Sequence, residues 1–265
     1  MNVPRQAGRS CLLALAGTLL LLCGIVARAA DEEALEELWK QHLATPDDHE
    51  AIFKACREFV EGHADDPLLP VVRGLDTWHR LRANQKDQAL KQINADLTAP
   101  AGQVNEGARR IALGWMTRAD RDQLAAVLQA YYRKQVAYPK GLDQLPADAK
   151  PLLNDRFGKP WTYKLTGFAK VSGFADQKYA LQSAALGDTS EFKVAVQLPY
   201  ASRITATPAQ IVAGPANLPA VKFNFGARPG IVALGQSAGD LYLAFVGTRI
   251  LVVCDYTHWK IFPKP

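Results

Sequence analysis

The spacing of apolar residues changes character near residue 138 and divides the chain into two halves. Across 31–135 the apolar residues recur every three to four positions, as in Ile52, Ala55 and Phe59. That period is typical of amphipathic helices. The stretches LLPVVRGLDTWHRL (68–81), NQKDQALKQINADL (84–97) and RRIALGWM (109–116) continue the pattern. The first half is therefore predicted to be helical.

A further helix is predicted where Thr117 and Asp120 form a Thr-x-x-acid capping box. The box precedes RDQLAAVLQAYYRK (121–134), which has strong helix formers and apolar residues at helical spacing. We therefore expect one helix to end near Met116 and another to begin at Ala119.

After Tyr138, Pro and Gly become frequent, and β-branched and aromatic residues alternate with polar ones. This alternation is typical of strands. The predicted strands are EFKVAVQL (191–198), ASRITA (201–206), AVKFNF (220–225), GIVAL (230–234), DLYLAF (240–245) and RILVVCDY (249–256). The tripeptide VGT between the last two predicts a hairpin turn. Helices followed by strands indicate an α+β fold.

The first 29 residues are typical of a secretory signal peptide. They contain three arginines and no acidic residue, an uncharged run from Cys11 to Val26, and a small-x-small cleavage sequence at Ala27–Ala29. Removing them leaves 28 basic against 26 acidic residues, so the mature chain is nearly neutral. Nucleic acid is therefore not an expected partner. We expect an exported chain, periplasmic or secreted, that does not span the membrane.

Three elements between residues 117 and 191 carry a family resemblance. A predicted helix ends in tyrosines, and YPKGLDQL (138–145), DRFGKPWTYKL (155–165) and YALQSAALGD (179–188) follow in order. This series resembles the globular head of the major pseudopilins of type II secretion. The matching positions are Tyr138, Pro139, Leu142, Leu145, Asp155, Phe157 (where the family has Trp), Gly158, Pro160, Tyr163, Tyr179, Leu181 and Ser183. The resemblance implies a helix packed on an antiparallel sheet, and Trp161 is expected to be buried there.

The chain also departs from that family. Members of the family have an apolar N-terminal helix directly after a prepilin-peptidase site, with Glu at the fifth mature position. Neither feature has a counterpart here, and Leu13 stands at the position of that Glu. The calcium loop is reduced to Asp188 and Glu191 as possible ligands, which is thin for an ion that takes six or more oxygens. The short helices around Asn84 resemble tetratricopeptide-type hairpins. The expected regions are 1–29 (signal peptide), 30–116 (helical), 117–191 (pseudopilin-like head) and 192–265 (β-rich extension).

The sequence offers one candidate enzyme site. GQSAG (235–239) is a Gly-x-Ser-x-Gly motif, and Asp255 and His258 follow Ser237 in the order of a serine hydrolase. The nucleophile elbow needs a helix after the serine, whereas a strand pair is predicted there. A turn between strands is the favoured interpretation, with hydrolysis as the alternative.

The sequence contains few indications of other functional sites. After cleavage two cysteines remain, Cys56 and Cys254, whose pairing an oxidising compartment would permit. No Cys-x-x-Cys or His-x-x-x-His pair suggests zinc, and no phosphate loop suggests a cofactor. Trp259 could anchor the last strand or face a partner. We expect a non-enzymatic structural or protein-binding module of the cell envelope, whose partner is another envelope protein.

Overall fold

The computed structural model describes residues 31–166 and 177–265, so the expected signal peptide lies outside the described residues. The fold is α+β, with the helices in the N-terminal half and antiparallel strands after them. The helices are α1 (31–44), α2 (His49–Gly62), α3 (Leu69–Arg82), α4 (Lys86–Asp96), α5 (Gln103–Gln135) and α6 (Phe192–Gln197). Short 3₁₀ turns lie at Leu142–Gln144, Ala147–Leu152, Gly187–Thr189 and Pro215–Asn217.

The two short helices around Asn84 are α3 and α4, which pack against each other. α3 and α4 are joined by a tight turn in which Asn84 adopts a left-handed backbone conformation with φ 60°. Asn tolerates that conformation better than most residues.

The predicted break before Ala119 is wrong, because α5 continues for 33 residues without interruption. The Thr117 hydroxyl accepts a hydrogen bond from the Arg156 backbone amide, and Asp120 forms an ion pair with the Arg156 guanidinium. Both side chains therefore bind a later loop instead of capping a helix. The expected boundary at residue 117 falls inside α5.

Within residues 31–166 and 177–265, nine strands form three antiparallel sheets. They are β1 (Thr162–Thr166), β2 (Lys178–Gln182), β3 (Thr207–Ala213), β4 (Pro219–Phe225), β5 (Arg228–Ala233), β6 (Ser237–Ala238), β7 (Leu241–Val246), β8 (Ile250–Cys254) and β9 (Trp259–Pro263). The sheets are β1-β2, β3-β4-β5 and β6-β7-β8-β9, each in sequence order. The predicted hairpin at VGT is confirmed as the β7–β8 connection.

Two of the predicted strands are wrong. EFKVAVQL contains α6, whose Phe192 and Ala195 are buried three positions apart, and Phe192 packs on the Trp115 ring. ASRITA is a turn followed by an irregular segment, and β3 begins only at Thr207. Short apolar runs fit either period, so neighbouring elements decide between helix and strand.

The helices and the last sheet share one hydrophobic core. Its members include residues from α1 to α6 together with β7, β8 and β9. Trp259 is buried in this core, 1 % exposed, and therefore anchors the last strand. A Cβ added at Gly74 of α3 or Gly107 of α5 would overlap the Trp259 indole, so these glycines create the space for it.

A buried carboxylate links the first helix to the last sheet. Glu32 of α1 is fully buried and accepts hydrogen bonds from the backbone amides of Thr248, Arg249 and Ile250 in the β7–β8 turn. These amides would otherwise lack partners, and backbone donors left unpaired inside a protein are costly. In the described part of the chain, no helix combines the length and the apolar character that a membrane span requires.

Candidate functional site

The pseudopilin-like residues converge on the C-terminal half of α5. Leu124 and Leu128 of α5 form a separate hydrophobic cluster with the segments that follow the helix. The other buried members of the cluster are Leu145, Ala149, Trp161 and Leu181, and Tyr138, Leu142, Tyr163 and Tyr179 pack at its edge. Through this cluster the C-terminal half of α5 packs with the antiparallel pair β1–β2, to which Leu181 belongs.

Asp155 organises the turn at the centre of this unit. Its Oδ1 accepts hydrogen bonds from the backbone amides of Phe157 and Lys159, at 3.0 and 2.9 Å. Its Oδ2 accepts a hydrogen bond from the Ser183 hydroxyl at 2.7 Å, which ties the turn to the end of β2. Gly158 has a left-handed φ of 74°, which a side chain would strain. Asp155 is buried, and its role is to satisfy these donors.

The aromatic residues of the unit are also held by polar contacts. The Trp161 indole donates to the Leu152 carbonyl at 2.7 Å, and the Tyr163 hydroxyl donates to the Pro139 carbonyl at 2.9 Å. Trp161 is 5 % exposed, as predicted. Burial, reinforced by the neighbouring Tyr179, raises the pKa of Tyr163 to about 12. The phenol therefore stays protonated near neutral pH and cannot serve as a base.

The structure does not assemble a hydrolase triad from Ser237, Asp255 and His258. Ser237 is exposed in the two-residue strand β6, and strand β7, not a helix, follows it. Asp255 Oδ1 accepts the backbone amides of Thr257 and His258, so it orders its own loop. Nε2 of His258 is buried and has no hydrogen-bond partner within the described ranges 31–166 and 177–265. Burial lowers the pKa of His258 well below its usual value.

The two calcium candidates are engaged elsewhere. Asp188 pairs with Arg203 at 2.9 Å, and Glu191 lies 3.6 Å from Arg121. Each carboxylate therefore has a cationic side chain as its neighbour.

Cys56 and Cys254 are free and buried, so the permitted disulfide is not formed. The Cys56 sulfur lies 3.8 Å from the Val72 carbonyl oxygen, and the Cys254 sulfur lies 3.6 Å from that of Gly107. Burial, followed by the charge of Asp76, raises the pKa of Cys56 to about 12, and burial raises that of Cys254 well above its usual value. Neither thiol has the low pKa of a reactive cysteine.

A cluster of histidines that no sequence motif marks lies between the first three helices. His79 of α3 lies between two others: its Nε2 is 3.1 Å from His42 Nδ1, and its Nδ1 is 2.8 Å from His49 Nδ1. Burial lowers the pKa of His42 to about 4. Burial first, then the neighbouring His42, His49 and Arg82, lower the pKa of His79 to about 3. His42 and His79 are therefore neutral at pH 7 and act as polar core residues.

A second group missed by the sequence analysis contains Asp31, His63 and Asp66. One ligand atom of each lies within 4.8 Å of the others, and in the described chain no other three His, Cys or acidic residues come so close. His63 Nδ1 is 2.6 Å from Asp31 Oδ1. The three residues are spread over 36 positions in no recognised motif, so only the fold brings them together. An open cleft of about 520 Å³, lined in part by Asp65, Asp66 and Arg73, lies beside this group.

No protein-family model, curated protein or solved structure matches the chain. Its function must therefore be argued from its own residues.

Proposed function

We propose that the protein is an exported, non-enzymatic structural or protein-binding module of the cell envelope. In this proposal the segment from about 117 to 191 is a pseudopilin-like head, and the partner is another envelope protein. The observation that carries the proposal is the hydrogen bond between Asp155 and Ser183. Two motif elements that are separate in the sequence meet in one packed unit, which supports the proposal.

The position of the head on α5 supports a role other than filament subunit. A filament subunit uses the apolar helix in front of its head to pack against neighbouring subunits. Here the first half of α5 is buried within its own chain, where Ala108, Ile111 and Trp115 belong to the main core. That surface is already occupied, so the head is expected to act as part of a single folded protein.

The geometry around Ser237 supports this proposal over the hydrolase alternative. Asp155, Tyr163 and Ser183 of the motif each have a polar partner within the protein, and Ser237 has no hydrogen bond to His258 within the described residues. A serine without a base is a weak nucleophile. Binding through surface residues therefore explains the arrangement better than hydrolysis does.

Site-specific photo-crosslinking in intact cells tests the proposal. Leu43, Val136 and Ile231 are large apolar residues, each more than 60 % exposed, in three different parts of the chain. Replacing each in turn by a photoreactive amino acid should give one discrete protein adduct in the envelope fraction from at least one position. Replacement of the buried Leu128 is the negative control.

Two results would contradict the proposal. The first is a chain that stays in the cytosolic fraction with its N-terminus uncleaved. The second is labelling of Ser237 by a fluorophosphonate probe, abolished in Ser237→Ala, which would restore the hydrolase. N-terminal sequencing should find a chain that begins at Ala30. A methylated residue directly after Gly8 would instead identify a true pseudopilin.

A further inference from the structure

We propose that Asp31, His63 and Asp66 form a binding site for a divalent transition-metal ion, zinc by the chemistry of its donors. The site would join the start of α1 to the turn between α2 and α3. The proposal stands apart from the proposed function, because it concerns a different part of the molecule.

Local structure holds two of the ligands in place before any ion binds. His63 follows the last residue of α2, where its amide donates to the Phe59 carbonyl and its ring stacks on the Phe59 ring. The Asp66 amide donates to the His63 carbonyl at 3.0 Å, which closes the turn. Ligands fixed in this way lose little conformational freedom when an ion is bound.

A buried oxygen of Asp66 that lacks a hydrogen-bond partner indicates where a cation would bind. Asp66 is 8 % exposed, and its Oδ1 accepts the Leu68 amide at 2.6 Å. Its Oδ2 is buried and has no hydrogen-bond partner within the described residues. A buried carboxylate oxygen without a partner is costly, and a bound cation would remove that cost.

The charges around the group favour a cation as well. Two carboxylates, those of Asp31 and Asp66, face a single imidazole. Neither carboxylate pairs with a lysine or arginine in the part of the chain that the structure describes. The nearby Arg73 is engaged with Asp96, at 3.6 Å.

The donor set selects the ion. One imidazole nitrogen and two carboxylate oxygens suit zinc and similar ions, whereas magnesium and calcium prefer oxygen alone. Zinc ligands about 2.0–2.2 Å from the ion in tetrahedral geometry lie about 3.4 Å from each other. His63 and Asp31, now 2.6 Å apart, would therefore separate slightly, and Asp66 would complete three protein ligands. The adjacent cleft gives the ion a route from solvent and leaves room for water as the fourth ligand.

The purified, untagged protein is first treated with a chelator and dialysed. Titration with zinc then tests the proposal. Calorimetry should show one saturable zinc site, and zinc should raise the melting temperature, because a ligand that binds only the folded state stabilises it. Calcium or magnesium at the same concentration should not raise it. His63→Gln and Asp66→Asn should weaken zinc binding by more than about tenfold.

The matched control is Asp65→Asn, which removes the neighbouring exposed carboxylate outside the group. It should bind zinc as the wild type does. Asp66→Asn keeps an oxygen that can accept the Leu68 amide, and circular dichroism would verify its fold. His63→Gln provides an independent test should Asp66→Asn unfold.

Cobalt gives a second readout. Cobalt bound in place of zinc should produce the visible absorption of a tetrahedral site, and His63→Gln should abolish it. The proposal is overturned if the wild type shows no saturable zinc binding. It is equally overturned if all variants bind zinc alike, since His63 and Asp31 would then form only an ion pair between helix ends.

Discussion

The substitution Gly114→Ala tests how the C-terminal loop packs on α5. Gly114 is buried in the middle of α5, against the loop that joins β8 to β9. A Cβ at this position would lie 2.9 Å from the carbonyl carbon of Tyr256 and closer still to its oxygen. It would also lie 3.1 Å from a guanidinium nitrogen of Arg118. These neighbours are backbone and a fully buried side chain, so they cannot move aside cheaply.

Two opposing effects decide the outcome. Alanine is favoured over glycine inside a helix by about 1 kcal/mol. Against this, overpacking a tight interior costs about 1–3 kcal/mol. The Tyr256 carbonyl also accepts a hydrogen bond from Arg118, and loss of a bond to a charged group costs about 1.5–3 kcal/mol. The loop would have to retreat beyond that bond, so we expect a net destabilisation of about 2–4 kcal/mol.

Urea denaturation followed by circular dichroism would measure this change. The matched control is Gly62→Ala at the end of α2, where no atom lies within 4 Å of the added Cβ. That variant should be slightly more stable than the wild type, by about 0.5 kcal/mol. Equal or greater stability of Gly114→Ala than of the wild type would refute the close approach of the loop to the helix.

Three further predictions concern the rest of the molecule. Trp161→Ala should lose about 3–5 kcal/mol of unfolding free energy in the same assay, and a loss below about 1 kcal/mol would argue against the packed head. His42 has a pKa of about 4 in the fold and 6.5 when unfolded, so the unfolded chain binds more protons between these values. The stabilisation from neutral His42 is complete above pH 6.5 and is lost as the pH falls towards 4. His42→Gln should therefore show a shallower loss of stability from pH 6.5 to 5 than the wild type, and parallel curves would exclude this role. Cys56 and Cys254 should resist alkylation in the native protein and react fully in urea, as mass spectrometry would show; rapid native labelling would contradict their burial.

Periodicity predicted those parts of the fold in which a long segment buries one face. The helices before residue 100 and the β7–β8 hairpin follow from apolar spacing and turn residues alone. The six-residue helix α6 could not be predicted from apolar spacing, because EFKVAVQL alternates like a strand. Only its position against Trp115 makes it helical. Strand β3 was missed for a related reason: Thr207–Ala213 is largely exposed or half-buried, so it carries a weak apolar signal.

The candidate sites were predictable to different degrees. The motif residues lie in order between Tyr138 and Ser183, and their local turns carry recognisable Asp, Gly and Pro positions. The histidine cluster and the group around His63 have no such signature. Their members come from separate helix ends and turns, and only the packing angles of α1, α2 and α3 decide which side chains meet. The pattern of apolar residues specifies which face of a helix is buried. It does not specify which polar side chains meet on that buried face.

Arg118 shows why α5 must be continuous. Arg118 lies at the predicted break between two helices, where a charged side chain is normally assigned to solvent, yet it is fully buried. It donates to the Thr189 carbonyl at 2.8 Å, the Tyr256 carbonyl at 3.1 Å and the Thr257 hydroxyl at 2.8 Å. Burial lowers its pKa only to about 10, so it remains charged at neutral pH. A buried charge is tolerated only when fully bonded.

The hydrogen bonds of Arg118 also join two separate parts of the chain to α5. The acceptors of Arg118 come from two segments, the turn after β2 and the loop before β9. One guanidinium on α5 therefore holds the segment after β2 and the C-terminal sheet to the same helix, next to the close approach at Gly114. A break in α5 at Thr117 would place a flexible joint beside this cation and expose it to loss of its partners. Rigid attachment would favour the proposed binding function, because a surface already fixed in place loses little entropy on binding.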